Sequence, residues 1–395
     1  PATLDIGDDV VTAQISGENV TIYPGCRIYG KKTVISSGCR LGYEAPVTIE
    51  NCRLGPDTEL KGGFFNGSVF LEKASMGSGA QVREGCLLEE QASGAHCVGL
   101  KQTILFPFVT LGSLVNFCDC LMAGGTSRLH HSEVGSSYIH FNFTPDGDKA
   151  TPSLFGDVPG GVMLNRPPIF LGGQGGAVGP IQVGYGNVAA AGSILRKNYP
   201  QENQLIFEAG PARSVRITRG LPYLEINHLV EQNIVYLANL KALTAWYKMV
   251  RKAFFDRQES GPLIYEGALE LLAGACRERL DRLSRMAKNS LAAAPDSAKA
   301  EREELVALLP ELEEQLSQDN TGDWVRQAQQ TFFAAWDQAG PKFNASYTEA
   351  IRALPAAVTD AGTAWLLSVV DDYCQKAKAA FPLVQIFKKL KATGT

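Results

Sequence analysis

The first half of the chain is paced by apolar residues that recur every six or seven positions: Ile22, Ile28, Val34, Leu41, Val47, Leu54 and Leu60. Later beats carry a fixed continuation, seen in Leu41-Gly42-x-x-Ala45, Leu54-Gly55-x-x-Thr58 and Met76-Gly77-x-x-Ala80. A large aliphatic residue, a glycine that lets the chain turn and a small residue four places on describe one flat side of a triangular coil. Stacking three such sides per turn predicts a parallel β-helix over about 1–220, with a core built as a ladder of equivalent positions. Between about 123 and 165 the beat weakens and polar, aromatic and proline residues intrude. It resumes at Phe170-Leu171-Gly172-Gly173, Val178-Gly179-Pro180-Ile181 and Ala189-Ala190-Ala191-Gly192-Ser193. A stack gains no stability by interrupting itself, so this irregular excursion is where function is expected.

From about Glu225 the period changes. Leu237, Leu240, Leu243, Tyr247, Val250 and Phe254 recur at three- and four-residue spacing, which predicts an amphipathic helix. Further helices are predicted at roughly 263–288, 298–317, 322–338 and 357–380, bounded by Pro262, Pro295, the Asn320-Thr321-Gly322 turn and Pro355. Pro310 is expected to kink or break the 298–317 helix. Composition marks the same divide: 33 of the 40 glycines fall at or before Gly220, and all four tryptophans follow it. The predicted architecture is therefore a β-helix followed by an α-helical domain over 225–395. That domain is expected to cap an open end of the coil, to join subunits or to dock a protein partner.

A net charge of -4 and a pI near 5.9 argue against a nucleic-acid binder. Neither a leader-like stretch nor an apolar run of ~18 residues is visible, so no membrane association and a cytoplasmic location are expected. Among the nine cysteines, Cys26, Cys39 and Cys86 each follow an aliphatic residue by four places, the small inward position of the repeat. Cys118-x-Cys120 has no second pair at zinc-like spacing, and no metal is predicted there.

Candidate chemistry gathers in and just before the excursion. His96, His130, His131 and His140 lie within 45 residues, among Asn116, Asp119, Arg128, Glu133, Tyr138, Asn142, Asp146 and Lys149. Transfer of an acyl group to an amine needs a base for the nitrogen's proton and a donor for the tetrahedral oxyanion. Histidine suits the first role because it titrates near neutrality.

Three segments within 111–197 carry a resemblance to a known family. They are Ser127-Arg128-Leu129-His130-His131-Ser132-Glu133-Val134-Gly135, Ile139-His140-Phe141-Asn142-Phe143-Thr144-Pro145-Asp146-Gly147-Asp148-Lys149, and the run from Val178-Gly179-Pro180-Ile181 to Ala191-Gly192-Ser193-Ile194. The chain here resembles the acetyltransferase half of the bifunctional N-acetylglucosamine-1-phosphate uridyltransferase/glucosamine-1-phosphate acetyltransferase family, trimeric hexapeptide-repeat enzymes with a left-handed β-helix. The resemblance implies a homotrimer that transfers an acyl group from acetyl-CoA to an amino sugar or sugar phosphate. It implies His130 as base and Asn142 as its catalytic neighbour. Arg128, Glu133, His140, Asp146 and Lys149 are then expected to meet the substrate, and Gly173, Ala191 and Arg196 the CoA. Aligned backwards from Asn142, the base position falls instead on Asp119.

Two other readings start from the same fold. One is a non-catalytic trimeric scaffold that keeps a ligand pocket. The other is similar to the left-handed β-helix carbonic anhydrases, with His96 and His130 or His131 as zinc ligands; the third ligand is then expected where Gly135 and Ser136 stand. The triplet Arg213, Arg216 and Arg219 reads either as a basic rung for phosphate or as an exposed strand.

Overall fold

A computed structural model describes residues 3–141, 150–208, 210, 226–317, 321–340, 343, 345–384 and 386–387. Through residue 206 the chain winds as a parallel β-solenoid of about 11 turns. Strands of mostly two to four residues form three flat sides, which the chain visits in a fixed order. Side I carries Arg27–Tyr29, Val47–Glu50, Gly63–Asn66 and Ala80–Val82, then Ile139–Phe141, Gly176–Val178 and Ile194–Leu195. Side II carries Val34–Ile35, Arg53–Leu54, Val69–Phe70 and Leu87–Leu88, then Ser153–Phe155 and Gln182–Val183. Side III is a ten-stranded parallel sheet from Thr21–Ile22 through Thr110–Leu111, Glu133–Val134 and Phe170–Leu171 to Leu205–Ile206. The longer strands Gly99–Leu105 and Asn116–Met122 bend from side I into side II.

The pairing register explains the beat. Ile28, Ile49, Phe65, Val82, Leu100 and Phe117 stack one above the next inside side I. Leu41, Leu60 and Met76 do the same inside side III. Such ladders bury apolar surface at every turn, each side chain contributing about 1.5–3 kcal/mol. Cys26, Cys39 and Cys86 are fully buried beside these columns, as the spacing predicts. Val34 departs from it: it pairs with Arg53 on the outward column of side II, and its neighbour Ile35 faces inward.

That outward column is the reason the helices pack where they do. Val34, Val69, Leu87, Ile104, Leu121 and Leu154 point away from the coil yet are at most 4% exposed. Seven helices follow the solenoid among the described residues: α2 Ile226–Trp246, α3 Lys252–Phe255, α4 Gly261–Ala292, α5 Lys299–Ser317, α6 Asp323–Ala339, α7 Tyr347–Arg352 and α8 Ala356–Ala380. A separate short turn, α1 Val158–Gly161, lies within the solenoid. Helices α2 and α4 pack against side II. The helical region thus covers a side of the coil instead of capping its end, because an apolar outer column needs covering along its whole length. Helix α5 runs through Pro310 without a break. A π-helical turn, Tyr247–Arg251, separates α2 from α3.

Buried ions cross the junction. Arg53 donates to the Leu263 carbonyl at 2.6 Å and to Glu270 at 3.0 Å. Arg279 meets Asp119 at 2.6 Å. Arg251 holds Glu90 at 2.5 and 3.2 Å, and Tyr247 donates to Glu89 at 2.5 Å. Burial pushes both glutamates above the usual carboxylate range, against the pull of Arg251. No helix among the described residues is long and apolar enough to cross a membrane.

Candidate functional site

The stack persists through the expected excursion, with Glu133–Val134, Ile139–Phe141 and Ser153–Phe155 as regular rungs. The irregularity consists of segments inserted between rungs. The first leaves the corner between sides II and III, where Gly124 and Gly125 take φ of +99° and +98°. A Cβ on Gly125 would come within 2.6 Å of the His131 Cα, so only glycine lets the chain double back here. It returns as an antiparallel hairpin pairing Gly125–Ser127 with His130–His131. At its base the buried Ser132 hydroxyl donates to the Ala123 carbonyl at 2.8 Å and accepts from the Ile169 amide at 2.9 Å.

The hairpin tip is pinned from below. Arg128 Nη1 donates to the carbonyls of Gln91 and Phe108 and to Thr110 Oγ1, each at 3.0 Å. Desolvation lowers its pKa, as expected for a guanidinium held by neutral acceptors. Arg128 was expected to meet substrate; its guanidinium is instead a strut between hairpin and coil. Its neighbour Leu129 is 87% exposed. Beside these two residues lies a cleft of about 480 Å³ whose far wall is Ser346, Thr348 and Arg352 of the helical region. Sequence reasoning missed this wall. The readable signal was the Ser346-x-x-Glu349 capping box that starts α7.

The hairpin presents two histidines of different character. His130 is exposed, and its ring makes no hydrogen bond among the described residues. His131 is half-buried, with Nδ1 2.8 Å from the Arg128 carbonyl. The carbonyl can only accept, so Nδ1 carries the proton and Nε2 keeps its lone pair. Glu133 Oε2 stands 3.9 Å from that Nε2. A ring held in one tautomer by a carbonyl, with a carboxylate near its free nitrogen, is arranged to accept a proton and to stabilise the resulting imidazolium.

Glu133 leads across side III to the corner with side I, where Gly135-Ser136, Gly172-Gly173 and Ala190-Ala191 stack on successive turns. Cβ atoms on Gly135 and Gly172 would fall 2.3 Å from the Gly173 and Ala191 nitrogens. These glycines are dictated by close backbone stacking. The Gly173 and Ala191 amides donate to no acceptor among the described residues, so this corner offers open N–H groups. At about 3.3 Å per residue it lies roughly 13 Å from His131.

The other expected residues are placed elsewhere. His140 occupies the inward column of side I, between Phe117 and Ala177, and is 6% exposed. Its Nε2 is 2.7 Å from the Ser153 hydroxyl, and burial drives its pKa down to about 4. A substrate contact is thereby corrected to a core role: a position two residues along the strand from outward Phe141 would face out, but His140 is one residue away. Asp119 is tied to Arg279. Arg196 follows the side I strand Ile194–Leu195, its Nη1 donating back to the Ile194 carbonyl at 3.1 Å. His96 sits on the III–I corner with Nδ1 2.9 Å from Ser113 Oγ, across side III from the hairpin histidines. No three His, Cys, Asp or Glu side chains among the described residues converge as a metal site. Cys118 and Cys120 are both free thiols, with Cys120 buried in the core. Asn142, Asp146, Lys149, Arg213, Arg216 and Arg219 lie outside the described residues.

No protein-family model matches the chain. It is similar to the bifunctional protein GlmU of Lawsonia intracellularis (strain PHE/MN1-00), 25% identical over 146 residues, which are 37% of this chain and 28% of that protein. GlmU of Acinetobacter baylyi (strain ATCC 33305 / BD413 / ADP1) is 28% identical over 144 residues, 36% of this chain and 28% of the relative. GlmU of Fervidobacterium nodosum (strain ATCC 35602 / DSM 5306 / Rt17-B1) is 26% identical over 135 residues, 34% of this chain and 26% of the relative. The chain thus spans about a quarter of the length of the curated relatives it matches. These matches and the observed coil fit a hexapeptide-repeat β-helix related to the acetyltransferase part of GlmU.

Proposed function

We propose that the protein is an acyl-CoA-dependent acyltransferase, acting as an N-acetyltransferase on an amino sugar or sugar phosphate. The observation that carries this reading is the hairpin, which holds His131 in one tautomer beside Glu133 on a rigid coil. In this reading His131, not the sequence-favoured His130, takes the proton from the acceptor amine. The amine nitrogen attacks the thioester carbonyl, the carbon–sulfur bond breaks, and the imidazolium returns the proton to the leaving thiolate. Glu133 stabilises the imidazolium, and the open amides of Gly173 and Ala191 serve the pantetheine arm of acetyl-CoA. The cleft beside Arg128 and Leu129 admits the acceptor, with Asn142, Asp146 and Lys149 retained as its expected contacts. Arg196 is retained as a contact for a CoA phosphate.

The reading includes a homotrimer. Phe170, Val188 and Leu205 pair in sequence on the outer column of side III and are 38%, 38% and 63% exposed. An apolar column left bare beside a candidate site suits contact with a second copy. Titration calorimetry with acetyl-CoA and with CoA tests the proposal. Micromolar binding supports it and leads to an acceptor screen with H131A and H130A, whereas no binding up to millimolar ligand refutes it. A second reading, a ligand-binding scaffold without turnover, is favoured by the engagement of Arg128 with protein acceptors. Its signature is acetyl-CoA binding with no transfer to any amine tested.

A further inference from the structure

A cleft far from the hairpin histidines lies where the corner between sides I and II meets helix α4. It encloses about 690 Å³, within the range of small-molecule sites, and lies at a junction of the kind such sites favour. Its coil wall is supplied by turn residues of successive coils, Lys31 and Lys32, Asn51 and Gly67. Its helix wall includes Gly267, where a Cβ would collide with the Arg53 side chain at 2.2 Å, together with Ala273 and Arg277.

The charge in this cleft is unbalanced. Lys31, Lys32, Arg53 and Arg277 line it with a single carboxylate, Glu270. A second, Glu266, stands 3.8 Å from Arg53. Both acids are already engaged. Glu270 takes Lys32 and Arg53 at 3.0 Å each, and the Arg53 side chain is only 8% exposed. Lys31 and Arg277 have no acidic partner among the described residues. Excess cation within a concave, part-apolar wall is unusual in a chain of net charge -4. Low-dielectric walls focus that field into the cleft and favour an anion of matching size. Asn51 and Ser68 add neutral hydrogen-bonding groups to the lining.

We propose that this cleft is a second binding site, for a small phosphate-bearing molecule, with Lys31 and Arg277 as its open cationic contacts and Arg53 as its buried anchor. Because Arg53 also holds α4 to the coil, an occupant strengthens the junction it bridges. The site does not depend on the acyltransferase reading, and the two fail separately.

The test is calorimetric titration of the full chain with inorganic pyrophosphate, for the wild type, K31A/R277A and H131A. Lys31 and Arg277 are exposed and unpaired, so their removal leaves the fold standing, which circular dichroism verifies. The expected result is one site per chain, weakened roughly tenfold or more in K31A/R277A and unchanged in H131A. R277E alone should weaken it at least as much as R277A. Absence of heat up to about 10 mM pyrophosphate overturns the proposal. So does binding that K31A/R277A leaves intact.

Discussion

His140 makes the sharpest quantitative test of the structure, because a titratable ring has taken a place in an otherwise apolar ladder. Its neighbours in the column are Phe117 and Ala177, and its ring lies edge-on to Phe117 and Phe155. Burial is the main cause that moves its pKa from 6.5 to about 4; the Arg279 charge adds to it and a hydrogen bond from the ring to the Cys118 carbonyl opposes it. Its Nε2 lies 2.7 Å from the Ser153 hydroxyl, so the ring keeps a polar partner inside the core. The folded state therefore keeps the ring neutral where the unfolded chain would protonate it. Its contribution to stability is full above pH 6.5 and is lost as pH falls from 6.5 towards about 4. At 1.36 kcal/mol per pH unit the complete loss is about 3.4 kcal/mol, and about 3 kcal/mol is gone at pH 4 itself. H140Q keeps one donor and one acceptor at similar volume but cannot titrate. Urea unfolding followed by circular dichroism, at several pH values from 7.5 to 4, would measure both proteins. The wild-type curve should fall below that of H140Q by an additional ~3 kcal/mol across this window. Curves that stay parallel would refute the buried, neutral placement of His140 and with it the register of side I.

Other consequences follow from specific contacts. If transfer activity is found, H131A should lower kcat by about 10²–10⁴-fold, and H130A should cost far less; the reverse order would return the base to His130. E89Q should raise the melting temperature more at pH 8 than at pH 5.5, because burial raises the folded-state pKa of Glu89, so its ionisation costs stability as pH rises. E90Q breaks the two-bond grip on Arg251 and should destabilise at both pH values, as thermal melts would show. Gly135→Ala should lower the melting temperature sharply, since its Cβ meets the Gly173 backbone at 2.3 Å, while Gly274→Ala on α4, whose nearest neighbour is 3.9 Å away, should stabilise by about 0.5–1 kcal/mol. L121A, on the outward column beneath the helices, should cost about 2–5 kcal/mol in chemical denaturation, although it lies outside the coil's own core.

The hexad beat, the change of period near residue 225 and the proline and glycine punctuation were enough to predict the solenoid and the positions of α2, α4, α5, α6 and α8. These are local properties: each turn of coil or helix repeats a rule written in adjacent residues, and stacking then follows. Inside the excursion the rule misled, because inserted loops dilute the beat while Glu133–Val134 and Ser153–Phe155 keep their rungs. Pro310 predicts a kink or a break, yet α5 continues through it, with Leu305, Leu309 and Leu312 buried around that position.

What the sequence determined by itself is therefore the coil, the helices and the small set of histidines worth considering. Which of those histidines is held, and by what, depends on contacts between residues distant in the chain or turned to opposite sides of one strand. His140 and Phe141 are sequence neighbours, yet one is in the core and the other outside. Arg128 finds its acceptors 18 to 37 residues earlier, because they lie on the two coils stacked beneath it. The apolar outer column of side II becomes a docking surface for helices only when successive rungs align. Periodicity specifies the repeating backbone, whereas side-chain chemistry at a site is fixed by neighbours that only the stacked turns and the packed helices bring together.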